Sequence, residues 1–406
     1  MKNKSIPTSL RLVNIKTTDE ARCLMEEIGV DREGISRMVS KALFKVVRVE
    51  NISNRAANIL KQEMLSLGAE AAVPREIMEF KNGYGNVLMM GTLKQYNLLA
   101  AKLQEQPFGL AKLGGQLKDI LTDEAGEDKF KLKCGPYVLN LGKRVHLMGI
   151  LNVTPDSFSD GGKYNNFEAA FEQARKMVAD GADIIDVGGE SSRPGASPVT
   201  WRQERDRVIP LIRELTKTVK VPVSIDTYKA RVAEEALDNG ATIVNDISAL
   251  RLDRQMAKVV ARHRVPVILM HMQGLPGNMQ DKPKYKDVVK EIIDFLKERI
   301  TFSREAGIRA ENIIIDPGIG FGKTTGHNLQ IINKLKEFKM LGKPVLLGPS
   351  RKRFIGNILD LPPEEREEGT LASCVIAVMN GVNLLRVHEV AKIQRGVKIA
   401  EAIQKG

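Results

Sequence analysis

Asp226, Asp316, Lys352, Arg386 and His388 each stand where an apolar, β-branched run gives way to polar sequence. These types suit one kind of chemistry. A carboxylate that accepts two N–H groups reads the edge of a heterocycle, while Arg, Lys and His hold a phosphate or another anion. Asn152 joins them in the stretch Gly149-Ile-Leu-Asn152-Val-Thr-Pro155-Asp156-Ser-Phe158-Ser-Asp160-Gly161-Gly162. Here a strand-like run ends in a long polar loop with two Asp and two Gly, the pattern of a mobile active-site element. Taken singly, each residue has a plainer explanation; Asp226, for one, suits the cap of a following helix. An ordinary turn leaves Phe158 unexplained in so polar a segment.

The elements that must position these residues repeat. Eight apolar runs recur at 145–152, 182–189, 221–227, 242–248, 265–272, 312–318, 344–350 and 384–390. Between them lie helical patterns, among them Phe167 to Ala179, Val288 to Ala306 and Leu329 to Phe338. Near-continuous apolar strands alternating with helices imply a parallel sheet buried on both faces. Eight such units in about 260 residues predict a (β/α)₈ barrel. A doubly wound sheet is the alternative, but no Gly-x-Gly-x-x-Gly follows Asn152.

In a barrel, function gathers at the C-terminal strand ends. After Asn152 these read Asp186-Val-Gly-Gly-Glu190-Ser191-Ser192-Arg193-Pro194, Ser224-Ile-Asp226-Thr227 and Asn245-Asp246-Ile-Ser248. Next come His271-Met-Gln-Gly274, Asp316-Pro-Gly-Ile-Gly-Phe321-Gly-Lys323, Ser350-Arg351-Lys352 and Arg386-Val-His388-Glu389. Polar residues at all eight ends exceed what capping alone requires.

The first 121 residues read as a small α/β or α+β domain without a catalytic motif, suited to docking or assembly. Thr17, Ser53 and Thr92 are its helix caps, 42–49 and 87–90 its strands, and Gly114-Gly115 a turn. Residues 122–143 read as a linker and 144–406 as the barrel. The net charge of +12 is spread along the chain, with no basic tail or aromatic stacking motif, so nucleic acid is not expected. No transmembrane run or leader is expected from the sequence, and three scattered cysteines suggest no disulfide framework, an expectation that fits the cytoplasm.

In order and spacing, over about residues 145–400, these motifs resemble the signatures of dihydropteroate synthases, enzymes that join a pterin to 4-aminobenzoate in folate biosynthesis and are sulfonamide targets. The resemblance implies a cytoplasmic transferase, paired as a homodimer, that takes a pterin diphosphate and 4-aminobenzoate. It implies that Asn152 ligates Mg²⁺ and, with Arg386 and His388, holds the diphosphate. Asp226, Asn245, Asp316 and Lys352 would bind the pterin. Phe158, Ser192, Arg193, Pro194 and Phe321 would surround 4-aminobenzoate, with Asp226, Asp160 and Lys352 catalytic. Four positions depart from the family pattern: Ser192 where Thr is usual, Tyr228 where a small residue is common, Glu389 for Asp, and the variable Arg353.

Two rivals share part of this pattern: a pterin-binding methyltransferase acting on a corrinoid, and a non-catalytic pterin- or folate-binding protein. The first has no use for a diphosphate site, so Ser350-Arg351-Lys352 with Arg386 and His388 counts against it; in the second, an intact Asn152, Asp226, Lys352 and Arg386 would have no purpose. Other polar residues have structural readings. His271 belongs to a strand interior, Asp186 and Glu190 pin loop two, and Lys323 supports the strand-six loop. His263 and His327 lie on the surface, and Trp201 packs beside loop two.

Overall fold

The computed structural model describes residues 10–79, 81–122, 130–153, 163–191 and 198–405. The chain divides into two units, Met1–Ala125 and Gly126–Gly406. In the first, strands β1 (Phe44–Ser53), β2 (Glu70–Ala72) and β3 (Tyr84–Thr92) form an antiparallel sheet ordered β1-β3-β2. Its core is built on Leu60, Met64, Met89, Tyr96 and Leu99. Thr17, Ser53 and Thr92 cap their helices as their sequence contexts predict. Gly114 and Gly115 do not form the expected turn; they lie inside the helix Leu110–Thr122. A Cβ on Gly114 would stand 2.9 Å from the Ala100 carbonyl, so close packing on the preceding helix accounts for that glycine.

Residues 131–140, expected within a linker, form a hairpin of β4 (Lys131–Cys134) and β5 (Tyr137–Asn140). The alternation Lys131-Leu132-Lys133-Cys134 is the signature of a half-buried strand. Leu132, Cys134 and Leu141 are buried against Met148, Ile184, Ile243, Ile268, Ile314, Leu346 and Leu384. The hairpin thus plugs the N-terminal end of the barrel.

The barrel strands are β6 (His146–Asn152), β7 (Ile184–Gly188), β8 (Val223–Asp226), β9 (Ile243–Asp246), β10 (Val267–Met270), β11 (Ile313–Asp316), β12 (Leu346–Leu347) and β13 (Leu384–Val387). They pair in parallel in the order β11-β10-β9-β8-β7-β6-β13-β12. An Ile315–Val345 bridge closes the ring, with the Ile315 N–H donating to the Pro344 carbonyl at 3.0 Å. At least one helix lies between each pair of successive strands, as in a (β/α)₈ barrel. Among the described residues, no helix is long and apolar enough to cross a membrane.

Register carries the function. Asn152 pairs with Gly188, Gly188 with Asp226, and Asp226 with Asn245, so three polar side chains share one row at the strand ends. Side chains two residues apart face the same way. Met148 and Ile184 therefore fill the floor beneath Asn152 and Asp186.

Candidate active site

Arg386 is the hub of the cup. Its Nε donates to Asp186 Oδ2 and its Nη2 to Asp226 Oδ2, each at 2.6 Å. Asn245 Nδ2 donates to the same Asp186 oxygen at 3.0 Å. Two carboxylates share one guanidinium in a buried place. Burial works against the Arg386 charge, but Asp186 and Asp226 outweigh it and hold the guanidinium above its ordinary range. Burial raises Asp226 to about 7; Arg386 opposes that rise, and Asp186 adds to it.

Asp316, 5% exposed, is raised by burial to about 6, although its Oδ1 accepts the Gly318 N–H at 2.7 Å. Lys352 Nζ lies 4.2 Å from the centre of the Phe321 ring. Phe321 belongs to an apolar wall with Ile247, Met270, Met272 and Met279. His388 Nδ1 meets Ser350 Oγ at 2.9 Å, joining the last two strand ends.

A metal is tested by the donor set. Among the described residues no cluster of three His, Cys, Asp or Glu could hold one. Asn152 Oδ1 and Asp226 Oδ2 flank Gly188, 3.7 and 3.6 Å from where a Cβ there would stand. One or two hard oxygen donors suit Mg²⁺, which takes few protein ligands.

Asn152, Asp226, Asn245, Asp316, Phe321, Lys352, Arg386 and His388 therefore all lie at the C-terminal end of the barrel strands. Phe158, Asp160, Ser192, Arg193 and Pro194 lie outside the described residues. Asp186, expected to pin loop two, is instead buried and paired with Arg386 and Asn245. A lone Asp in an apolar strand was its signal, because a buried carboxylate needs partners. Glu190 does serve loop two. It accepts from Tyr228 Oη at 3.0 Å and from Lys229 Nζ, and Lys229 also reaches Glu204 at 2.5 Å. Lys229 and Glu204 were missed because neither stands in a strand-end motif.

Arg351 turns away from the cup, to Glu367 and Glu389. Glu389 is thereby a structural partner, and Arg353 is exposed at the start of the helix Arg353–Leu359. Lys323 Nζ donates to the carbonyls of Phe321 (2.9 Å) and His271 (3.3 Å), tying loops five and six together. Trp201 packs against the barrel core beneath the guanidiniums of Arg202, Arg205 and Arg231.

Comparison with known proteins points one way. A family described as pterin binding enzyme matches residues 148–388. The dihydropteroate synthase of Clostridium beijerinckii is 48% identical over 273 residues, 67% of this chain and 99% of that protein. A crystal structure of Yersinia pestis dihydropteroate synthase with a sulfonamide drug complex superimposes with a TM-score of 0.65 at 42% identity, covering 68% of this chain and all of that one. A probable bifunctional folylpolyglutamate synthase/dihydropteroate synthase of Halobacterium salinarum is 38% identical over 393 residues. That alignment takes in 97% of this chain and 47% of the larger protein.

Proposed function

The chain belongs to the pterin binding enzyme family as a dihydropteroate synthase, a transferase of folate biosynthesis, and we infer from that premise how its barrel performs the reaction. The enzyme condenses (7,8-dihydropterin-6-yl)methyl diphosphate with 4-aminobenzoate to give 7,8-dihydropteroate and diphosphate. The observation that carries the mechanism is the single guanidinium held between Asp186 and Asp226.

In this reading Asp226, Asn245, Asp316 and Lys352 bind the pterin. Their carboxylate, amide and ammonium groups match the donors and acceptors along its edge, and Phe321 with the methionines supplies an apolar wall. Arg386 and His388 hold the diphosphate at the last strand ends, the usual barrel phosphate site. Mg²⁺, held by Asn152 and the diphosphate oxygens, would neutralise part of the leaving group's charge. Phe158, Ser192, Arg193 and Pro194 would enclose 4-aminobenzoate on the strength of the motif resemblance.

The C–O bond to the exocyclic carbon breaks first, and its electron pair leaves with the diphosphate. The dihydropterin ring shares the positive charge left on carbon. A diphosphate drawing on Arg386 weakens that residue's pull on Asp226, whose carboxylate then faces the growing cation. The aniline nitrogen attacks the carbon, and its surplus proton passes to solvent.

A diphosphate-release assay with and without 4-aminobenzoate and Mg²⁺ tests this order. Slow release without the amine, with water trapping the carbon as the hydroxymethyl pterin, is expected. Strict dependence on the amine would refute the dissociative order.

Pairing of two chains is proposed as well. Ile399 and Ile403, 64% and 65% exposed, lie one turn apart on Val390–Lys405, and Ile376 is half exposed on the neighbouring helix Glu367–Met379. Sedimentation as a monomer at micromolar concentration would refute it.

A further inference from the structure

Arg351 sits in a backbone conformation that an arginine pays for. Its φ is +56°, in the left-handed region that favours glycine. The Lys352 N–H closes the turn on the Pro349 carbonyl at 3.3 Å, leaving Arg351 at the turn position where a positive φ ordinarily selects glycine. A residue with a side chain persists at such a place when surrounding contacts over-determine it.

Those contacts are present. The Arg351 N–H donates to Thr370 Oγ1 at 3.1 Å, and its carbonyl accepts from Arg366 Nη1 at 3.2 Å. Its Nε donates to Glu367 Oε1 at 2.7 Å and its Nη2 to Glu389 Oε1 at 2.9 Å. Glu367 is buried on the helix Glu367–Met379, and Glu389 directly follows His388. The clasp thus joins loop seven, loop eight and the intervening helix. On one side of Arg351, Ser350 receives the His388 backbone N–H at 3.3 Å and meets its ring nitrogen. On the other, Lys352 lies over Phe321.

We propose that Arg351 is a positioning residue for the pterin diphosphate. Its guanidinium, clasped by Glu367 and Glu389, holds a strained turn that sets Lys352 toward the pterin and Ser350–His388 toward the phosphates. The inference rests on the proposed function for the roles of Lys352 and His388. The side chain does not touch substrate and acts only through its neighbours. Glycine would satisfy the turn but not the clasp, which gives the test its edge.

The experiment measures dihydropteroate formation by the full chain and by Arg351→Gly, Arg351→Lys and Glu389→Gln, with both substrates varied. Arg351→Gly relieves the positive φ but leaves the buried Glu367 without its cation, so a modest fall in Tm is expected; kcat/KM for the pterin diphosphate should fall about ten- to a hundredfold, the scale set by slight misplacement of reacting groups. Its KM for 4-aminobenzoate should change less than twofold. Arg351→Lys, keeping one ion pair, should recover part of the loss, and Glu389→Gln should show a smaller loss in the same constant. If Arg351→Gly fails to fold, Glu389→Gln, which alters a carboxylate whose side chain is 44% exposed, carries the test alone. Wild-type constants in the folded variants would overturn the inference, as would equal losses toward both substrates in step with a fall in Tm. An inactive wild type would instead count against the proposed function.

Discussion

Arg386 and Asp226 lie 160 residues apart in sequence and meet at 2.6 Å, with the same guanidinium also holding Asp186. In the proposed mechanism this contact joins the cation that would meet the leaving group to the carboxylate that would face the carbon it leaves. Three outcomes depend on it and on its surroundings, and a fourth on the hairpin at the opposite end of the barrel.

Asp226→Asn keeps size and hydrogen-bonding capacity and removes the charge. Loss of one preorganised electrostatic partner costs about 10²–10³ in rate. The loss should fall mainly on kcat, since the charge matters most as the cation develops. Steady-state kinetics with normal kcat would reduce Asp226 to a pterin contact.

Stability and activity should respond to pH in opposite directions. Burial raises Asp226 from 3.8 to about 7 and Asp316 from 3.8 to about 6. A carboxyl with a raised folded pKa contributes stability that is full below its unfolded pKa and lost as pH rises through the folded one. The Tm of the substrate-free enzyme should therefore drop from about pH 4 to about pH 7, and Asp226→Asn should flatten that drop. If the charged carboxylate is the working form, kcat/KM rises with pH through the folded values of about 6 and about 7. A kcat/KM that falls there would contradict the assigned role.

Asn152→Ala removes the proposed oxygen donor for Mg²⁺ at the end of β6. The Mg²⁺ concentration giving half-maximal rate should rise, and KM for the pterin diphosphate should rise with it. An unchanged Mg²⁺ titration would take Asn152 out of the metal site.

The hairpin β4–β5 seals the barrel floor with Leu132, 1% exposed. Leu132→Ala should cost about 2–5 kcal/mol in chemical denaturation, as buried leucines do. A chain beginning at Lys129 keeps this plug and should retain synthase chemistry, whereas one beginning at Arg144 should lose stability. Equal stability of the two shortened chains would show that the plug contributes nothing.

Much of the barrel was legible in the sequence because parallel strands buried on both faces must be nearly all apolar. The runs at 145–152, 182–189 and 384–390 each enclose an observed strand. The polar row at the strand ends was legible for the same reason: Asn152, Asp226 and Asn245 break apolar patterns that would otherwise continue. What escaped were relations between distant residues. Asp186 looks local in sequence, yet the pairing of β6 with both β7 and β13 sets it against Arg386, 200 residues away. Ser350-Arg351-Lys352 reads as one cationic motif, but a positive φ sends Arg351 toward Glu367 and Glu389 instead of into the cup. Residue type and periodicity determine which strands form and which side chains they carry inward. Which charges meet depends on strand register and ring closure, because a buried charge takes its partner from whatever the closed barrel brings within hydrogen-bonding distance.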